Sequence, residues 1–271
     1  MLGRKFLVYA ALSTVLAAFG LPASAQPDGL SGEQLAERVY QRPDGNDSVA
    51  FGRMELLKEG RSPRVREFYS YTSDSGPGEI KSLIRFTAPG DISGTGLLSL
   101  DRESGASDQW LYLPDLGRVR RVPSNRRGGR FVGSDLFYED LQDREVSADQ
   151  HHIAGKSDYQ GTPCTLLVST PVEPANSTYT KRRACIHEPT LLALFVEFYL
   201  EDKIIKTIET LQAEQIQTFW TATDVLITDA ESGHRTRMTS QQVVYNRGLP
   251  EGFFSQKTLE DPERERAYRL E

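Results

Sequence analysis

The sequence predicts a mainly β (α+β) fold built on one large antiparallel sheet, curled on itself and preceded by a single helix. Three observations carry this reading. About a dozen short strand-like segments follow one another from residue 48 to residue 246, separated by Gly-, Pro-, Asn- and Asp-rich turns. No long helix separates them, so the crossovers of a dozen or more residues that parallel strands need are missing. Twist accumulates from strand to strand, so a sheet of this size curls or closes instead of lying flat.

Residues 1–25 read as an export signal. Arg4 and Lys5 form a basic start, Phe6 to Phe19 is apolar, and Ala23-Ser24-Ala25 is a small-residue cleavage site. The apolar run is short for a membrane span. No Cys lies near the cut to carry a lipid anchor, so a soluble periplasmic protein is expected, with residues 26–271 as a single domain. Cleavage after Ala25 leaves 246 residues with 30 Lys and Arg against 38 Asp and Glu, a formal charge of −8. That balance argues against general nucleic-acid binding, which needs a basic footprint.

Leu30 to Tyr40 is expected as an amphipathic helix. Leu35 and Val39, with Ala36 and Tyr40 less regularly, mark its apolar face, and Pro43-Asp44-Gly45 ends it. Strands are expected at 48–58, 64–72, 79–88, 96–102, 109–114 and 118–123. After the central region they continue at 145–154, 161–170, 179–188, 191–200, 203–212, 217–229 and 235–246. The tight turns Glu188-Pro189-Thr190 and Glu201-Asp202 predict antiparallel hairpins. Leu191 to Leu200 looks apolar on both sides, with Leu192, Leu194, Val196 and Phe198 alternating with Leu191, Ala193 and Phe195. Such a strand should be covered on both faces. Either it lies in an ordinary core or it borders a partly unfilled apolar cavity fit for a lipid tail. The tail from Gly248 to Leu259, carrying Phe253, Phe254 and Leu259, suggests a docking turn or short helix, and the charged residues from Asp261 onward should fray.

Cys164 and Cys185, in an exported chain, predict one disulfide closing a loop of roughly 20 residues, worth on the order of 3 kcal/mol. The search for catalytic chemistry finds no constellation. His187-Glu188 begins a zinc signature that Pro189 breaks, and His151 and His152 point to opposite faces of a strand. There is no nucleophile elbow and no phosphate-binding glycine loop. No metal, no cofactor and no enzymatic activity is expected.

The stretch from Asp108 to Leu141 concentrates charge and aromatic surface. Arg118, Arg120, Arg121, Arg126, Arg127 and Arg130 lie within thirteen residues, flanked by Trp110, Tyr112, Phe131, Phe137 and Tyr138. A helical turn is expected to open at Ser134 or Asp135, with Asp135, Glu139 and Asp140 as solvated acids at its positive end. As a contact site, the five aromatics would line or gate a mouth, while Arg120, Arg121, Arg126 and Arg127 would meet an anionic headgroup or membrane surface. The bland alternative is a solvated hairpin whose arginines pair with nearby acids.

The same stretch resembles the outer-membrane lipoprotein-sorting family, in its LolA-like, periplasmic branch associated with RND-type exporters. The resemblance rests on Trp110-Leu111-Tyr112-Leu113-Pro114, Arg118 to Val122, Gly133-Ser134-Asp135 and Tyr138-Glu139-Asp140-Leu141, with Gly94-Thr95-Gly96 and Leu98 to Asp101 upstream. It implies an unclosed LolA/LolB-like β-barrel whose concave face is covered by the N-terminal helix and short helices, around a cavity for acyl chains. Leu136 and Phe137 stand where the family pattern has Phe and a small polar residue, and no single position here matches the carrier's functional arginine. The implied role is a lipid or lipoprotein carrier in outer-membrane sorting, in transient contact with the membrane surface. A second reading is a non-enzymatic accessory or sensor docking on an inner-membrane RND-type transporter.

Overall fold

A computed structural model describes residues 29–270 other than 75, 77, 78 and 102–106. The expected export signal, residues 1–25, lies outside the described residues. Helix α1 (Gly32–Tyr40) starts at a reciprocal cap. The Ser31 hydroxyl accepts from the Gln34 N–H, and the Gln34 side chain accepts from the Ser31 N–H.

Among the described residues, thirteen strands form one antiparallel sheet. A first meander contains β1 (Asp47–Leu57), β2 (Arg64–Asp74), β3 (Ile80–Ala88), β4 (Gly96–Leu100), β5 (Asp108–Leu113) and β6 (Arg118–Arg121). A second contains β7 (Asp149–Tyr159), β8 (Thr162–Pro171), β9 (Lys181–His187), β10 (Leu192–Leu200), β11 (Lys203–Ile216), β12 (Phe219–Asp229) and β13 (Arg235–Tyr245). β1 pairs with β13, so the meanders join at mid-sheet and leave β6 and β7 as free edges. The sheet is unclosed, as expected.

Local differences from the sequence reading have local causes. β7 begins at Asp149 instead of Glu145 because Val146–Ala148 forms a 3₁₀ turn, whose Val146 carbonyl contacts His151 Nε2 at 2.9 Å. In β10 the register steps from Ala193 opposite Ile186 to Phe195 opposite Cys185. This bulge places Val196 and Phe198 on the face of Ala193 and leaves Leu192 on the other, against the simple alternation. Among the described residues no separate layer covers the outer side of β10, where the expected cover on both faces would lie. Phe195 faces outward and stacks on Tyr159, with ring centroids 5.2 Å apart.

The β6–β7 connection, residues 122–148, packs onto what is here termed the inner face. Its Phe131 and Leu136 join Met54, Leu56, Phe68, Phe86, Leu97 and Ile227 in one core. On the same face α1 lies over β7 and β8, burying Leu35 and Ala36 against Leu167 and Ile186. Gly32 approaches β7 so closely that a Cβ would sit 2.4 Å from the His151 carbonyl oxygen, a distance no side chain tolerates.

The outer face of the first meander carries a second core. Val49, Tyr71, Leu83 and Leu98 lie under Phe253, Phe254 and Leu259 of the C-terminal segment, which includes helix α2 (Gln256–Glu260) and a 3₁₀ turn over Pro262–Tyr268. The expected fraying after Asp261 does not occur. Glu265 is fully buried against fully buried Arg85 at 2.7 Å, and Arg85 also donates to the Gly94, Thr258 and Leu259 carbonyls. The disulfide joins Cys164 of β8 to Cys185 of β9, with Cα atoms 5.4 Å apart. Cys185 lies opposite outward-facing Phe195, which places the bridge on the outer face of the second meander.

Candidate functional site

The β6–β7 connection contains no α-helix. It forms short 3₁₀ turns at Phe131–Gly133 and Tyr138–Leu141. The chain reverses through two successive left-handed residues, Val132 (φ 46°) and Gly133 (φ 75°). The second costs a glycine little, whereas a β-branched residue is strained there. Arg66 holds the turn by donating to the Val132 carbonyl at 2.6 Å.

Three acids pin this segment to the inner face. The Asp135 side chain is 0 % exposed; it pairs with Arg130, accepts from the Thr236 hydroxyl at 2.7 Å and contacts His234 Nδ1 at 2.7 Å. Glu139 accepts from the Thr178 N–H at 2.6 Å and from Arg182 at 2.5 Å. Asp140 accepts from Lys206 Nζ at 2.5 Å, from the Tyr179 hydroxyl at 2.6 Å and from the Phe137 N–H at 2.6 Å. Lys206 Nζ also lies 3.4 Å from the Phe137 ring centroid, and Phe137 stacks on Tyr179. Burial lowers the pKa of Lys206 against the opposing pull of Asp140, and burial raises that of Tyr179. The sequence reading of these acids as a solvated helix start is therefore corrected. They are buried anchors: Asp135 pairs with Arg130 of the same connection, and Glu139 and Asp140 pair with Arg182 of β9 and Lys206 of β11.

The aromatics expected at one mouth are not brought together. Phe131 and Tyr138 pack into the inner core, and Phe137 sits over Lys206 on that face. Trp110 and Tyr112 point to the outer face and pack under the C-terminal segment. The arginines divide as well. Arg121 pairs with Asp108, and Arg130 bridges Asp135 and Asp229. Arg127 donates to the Ser124 and Ala175 carbonyls at 3.0 and 3.1 Å. Arg118, Arg120 and Arg126 are exposed, with no carboxylate partner among the described residues. Cations on a free edge strand such as β6 also discourage unwanted strand pairing.

The structure assembles an apolar strip that the sequence reading did not single out. Across adjacent inner-face positions, Ala184 lies opposite Val196 and Val196 opposite Ile208. One step along, Val225 lies opposite Met238. Ala184 and Ala193 border the core under α1, while Ile208, Val225 and Met238 border the core under the β6–β7 connection. Between the two covers Val196, Ile208, Val225 and Met238 remain half-buried. Only Val196 stood out beforehand, because Ile208 and Met238 are single apolar residues between polar ones and Val225 opens an apolar run without alternation.

A separate polar cleft of about 290 Å³ opens where the ends of β5 and β6 face the connection on its way to β7. Arg121, Arg127, Arg144, Asp108, Glu139 and Asp143 line it. Beside it, burial raises the Asp101 carboxyl to about 6, although the Ser107 hydroxyl and the Asp143 N–H donate to it. Among the described residues no group of three or more His, Cys, Asp or Glu side chains could hold a metal ion. Among them also, no helix is long and apolar enough to cross a membrane.

A family model described as an uncharacterized protein matches residues 78–261. A solved structure described as an outer-membrane lipoprotein-sorting protein domain, from Vibrio parahaemolyticus, is 29% identical, with a TM-score of 0.80. The match covers 84% of this chain and 98% of that one. A DUF1329 family protein from Desulfovibrio piger is 27% identical with the same TM-score, covering 84% and 97%. A LolA superfamily protein from Nitrosomonas europaea, 15% identical with a TM-score of 0.67 and covering 84% and 98%, shares the fold. No curated protein matches the sequence.

Proposed function

Because the chain belongs to the family whose model covers residues 78–261 and has the LolA-like fold, we propose that it is an exported carrier of lipid or acylated lipoprotein. Residues 1–25 act as the cleaved export signal, and residues 26–271 work as one periplasmic domain in outer-membrane lipid or lipoprotein sorting. The domain described as lipoprotein-sorting, similar over most of this chain, supports that setting.

The observation that carries the reading is the half-buried strip of Val196, Ile208, Val225 and Met238 between its two covers. An acyl chain laid along it gains about 0.8 kcal/mol per buried CH₂, so 14 to 16 carbons supply roughly 11 to 13 kcal/mol gross. No reacting group is needed, and the ionic anchors are already committed to one another.

Native mass spectrometry of the periplasmically expressed protein, with lipid analysis of its organic extract, tests this. A stoichiometric lipid or acylated peptide is expected. It should disappear in an Ile208→Glu/Met238→Glu variant whose circular dichroism is unchanged. A clean apo mass with no uptake of added lipid would overturn the carrier reading. A second reading, docking on an inner-membrane RND-type transporter, draws support from Arg118, Arg120 and Arg126, which are exposed without carboxylate partners among the described residues. It gains if the protein is apo and those arginines are needed for co-purification with a transporter.

A further inference from the structure

We infer that the polar cleft between the ends of β5 and β6 and the β6–β7 connection is a binding site for a small oxyanion, a carboxylate or a phosphate group, held by Arg127 and Arg121. The site stands on its own geometry and does not depend on an acyl chain occupying the inner strip.

The cleft holds uncommitted positive charge. Three arginines and three acids line the cleft, but most are already satisfied. Glu139 is taken by Arg182, Ser177 and the Thr178 N–H. Arg144 forms a two-pronged pair with Asp149 and donates to the Ala148 and Asn176 carbonyls. Asp108 pairs with Arg121 through one guanidinium nitrogen. Asp143 is hydrogen-bonded by the Tyr40 side chain, and burial pushes its carboxyl up.

Arg127 is different. Its Nε and Nη1 meet only backbone carbonyls, so its charge has no carboxylate partner and its Nη2 has no partner among the described residues. Arg121 likewise keeps Nε and Nη1 unengaged among the described residues and is 68 % exposed. The Ser124 hydroxyl adds a neutral donor to the lining. Two guanidinium groups with free donors and a hydroxyl match the multiple acceptors of a planar carboxylate or a tetrahedral phosphate. At about 290 Å³ the cleft accommodates such a group and its water, but not a lipid tail. A freely diffusing anion and the headgroup of an anionic lipid offer the same chemistry.

The test is calorimetric titration of the full chain with inorganic phosphate at low salt, read beside Arg127→Gln and Arg126→Gln. Saturable phosphate binding is expected, weakened about tenfold or more by R127Q, the loss of one charge-assisted contact. R126Q alters the same loop outside the cleft lining and should bind as the original protein does. If R127Q fails to fold, Arg121→Gln and Ser124→Ala take its place, each with a several-fold loss expected. Absence of saturable binding, or an equal loss in R126Q, would overturn the site, the latter by showing only a diffuse field. Vesicles of phosphatidylglycerol and of phosphatidylcholine separate the sources. Phosphatidylglycerol binding competed by phosphate identifies a headgroup site, and phosphate binding without vesicle binding identifies a site for a free anion. Lipid retained on the inner strip is read separately by native mass, so the carrier reading and this site fail independently.

Discussion

The two meanders of this sheet are built from similar strands yet stabilised differently. The first, β1 to β6, is covered on both faces. Phe131 and Leu136 pack onto its inner side, and Phe253, Phe254 and Leu259 onto its outer side. The second, β7 to β13, has its covers on the inner side, α1 at one end and the β6–β7 connection at the other. Its outer side is closed by its own residues: the disulfide, the Tyr159–Phe195 stack, and ion pairs such as Arg183–Glu197 and Arg237–Asp224. A strand sandwiched between two layers draws stability from burial, whereas a half-covered strand needs cross-links and cross-strand pairs. The half-covered region is also where an apolar inner strip is left over for a ligand.

The sharpest way to break this contrast is to release the outer cover of the first meander. Glu265→Ala leaves Arg85 buried and facing only carbonyls, and the loss of a buried partner typically costs about 3 to 5 kcal/mol. Urea unfolding should show that loss, with hydrogen exchange rising first in β3 to β5. A change below about 1 kcal/mol would mean that the segment is not anchored through this pair. Replacing both cysteines with alanine should cost somewhat less, about 3 kcal/mol for a loop of this length. Protection should fall mainly in β8 to β10; a uniform fall across both meanders would contradict the division drawn here.

The smallest effect concerns the junction where the connection leaves the first meander. Asp101, at the end of β4, has its carboxyl raised to about 6 by burial. Its protonated form is therefore favoured by folding. The resulting stabilisation is complete below the ordinary carboxylate pKa and is lost as pH rises through about 6. The melting temperature should rise modestly between pH 7.5 and pH 5.5, and Asp101→Asn should flatten that rise. An unchanged slope in the variant would assign the dependence to another group.

Most of the strand inventory was legible because alternation and turn residues act over a few positions. The hairpin turns and the Cys164–Cys185 bridge are of this kind. The central arginine-rich stretch was the hardest to read. Its charge density suggested a surface, yet Asp135, Glu139 and Asp140 are buried anchors, and only Asp135 finds its cation, Arg130, within the stretch; Arg182 and Lys206, the partners of Glu139 and Asp140, lie on β9 and β11. Lys206, the partner of Asp140, is 66 residues away, and Glu265 lies 180 residues from Arg85. No local pattern reveals such pairings.

The sequence by itself determined an antiparallel, strand-rich chain opened by a helix and carrying one disulfide, since backbone periodicity and turn chemistry are local properties. Only the tertiary structure decided which face each residue occupies. The bulge in β10 moved Leu192 away from Val196, and the crossing of the sheet separated Trp110 and Tyr112 from Phe131 and Tyr138. A one-residue shift in a strand exchanges its faces, and the energy that selects the shift comes from partners far along the chain.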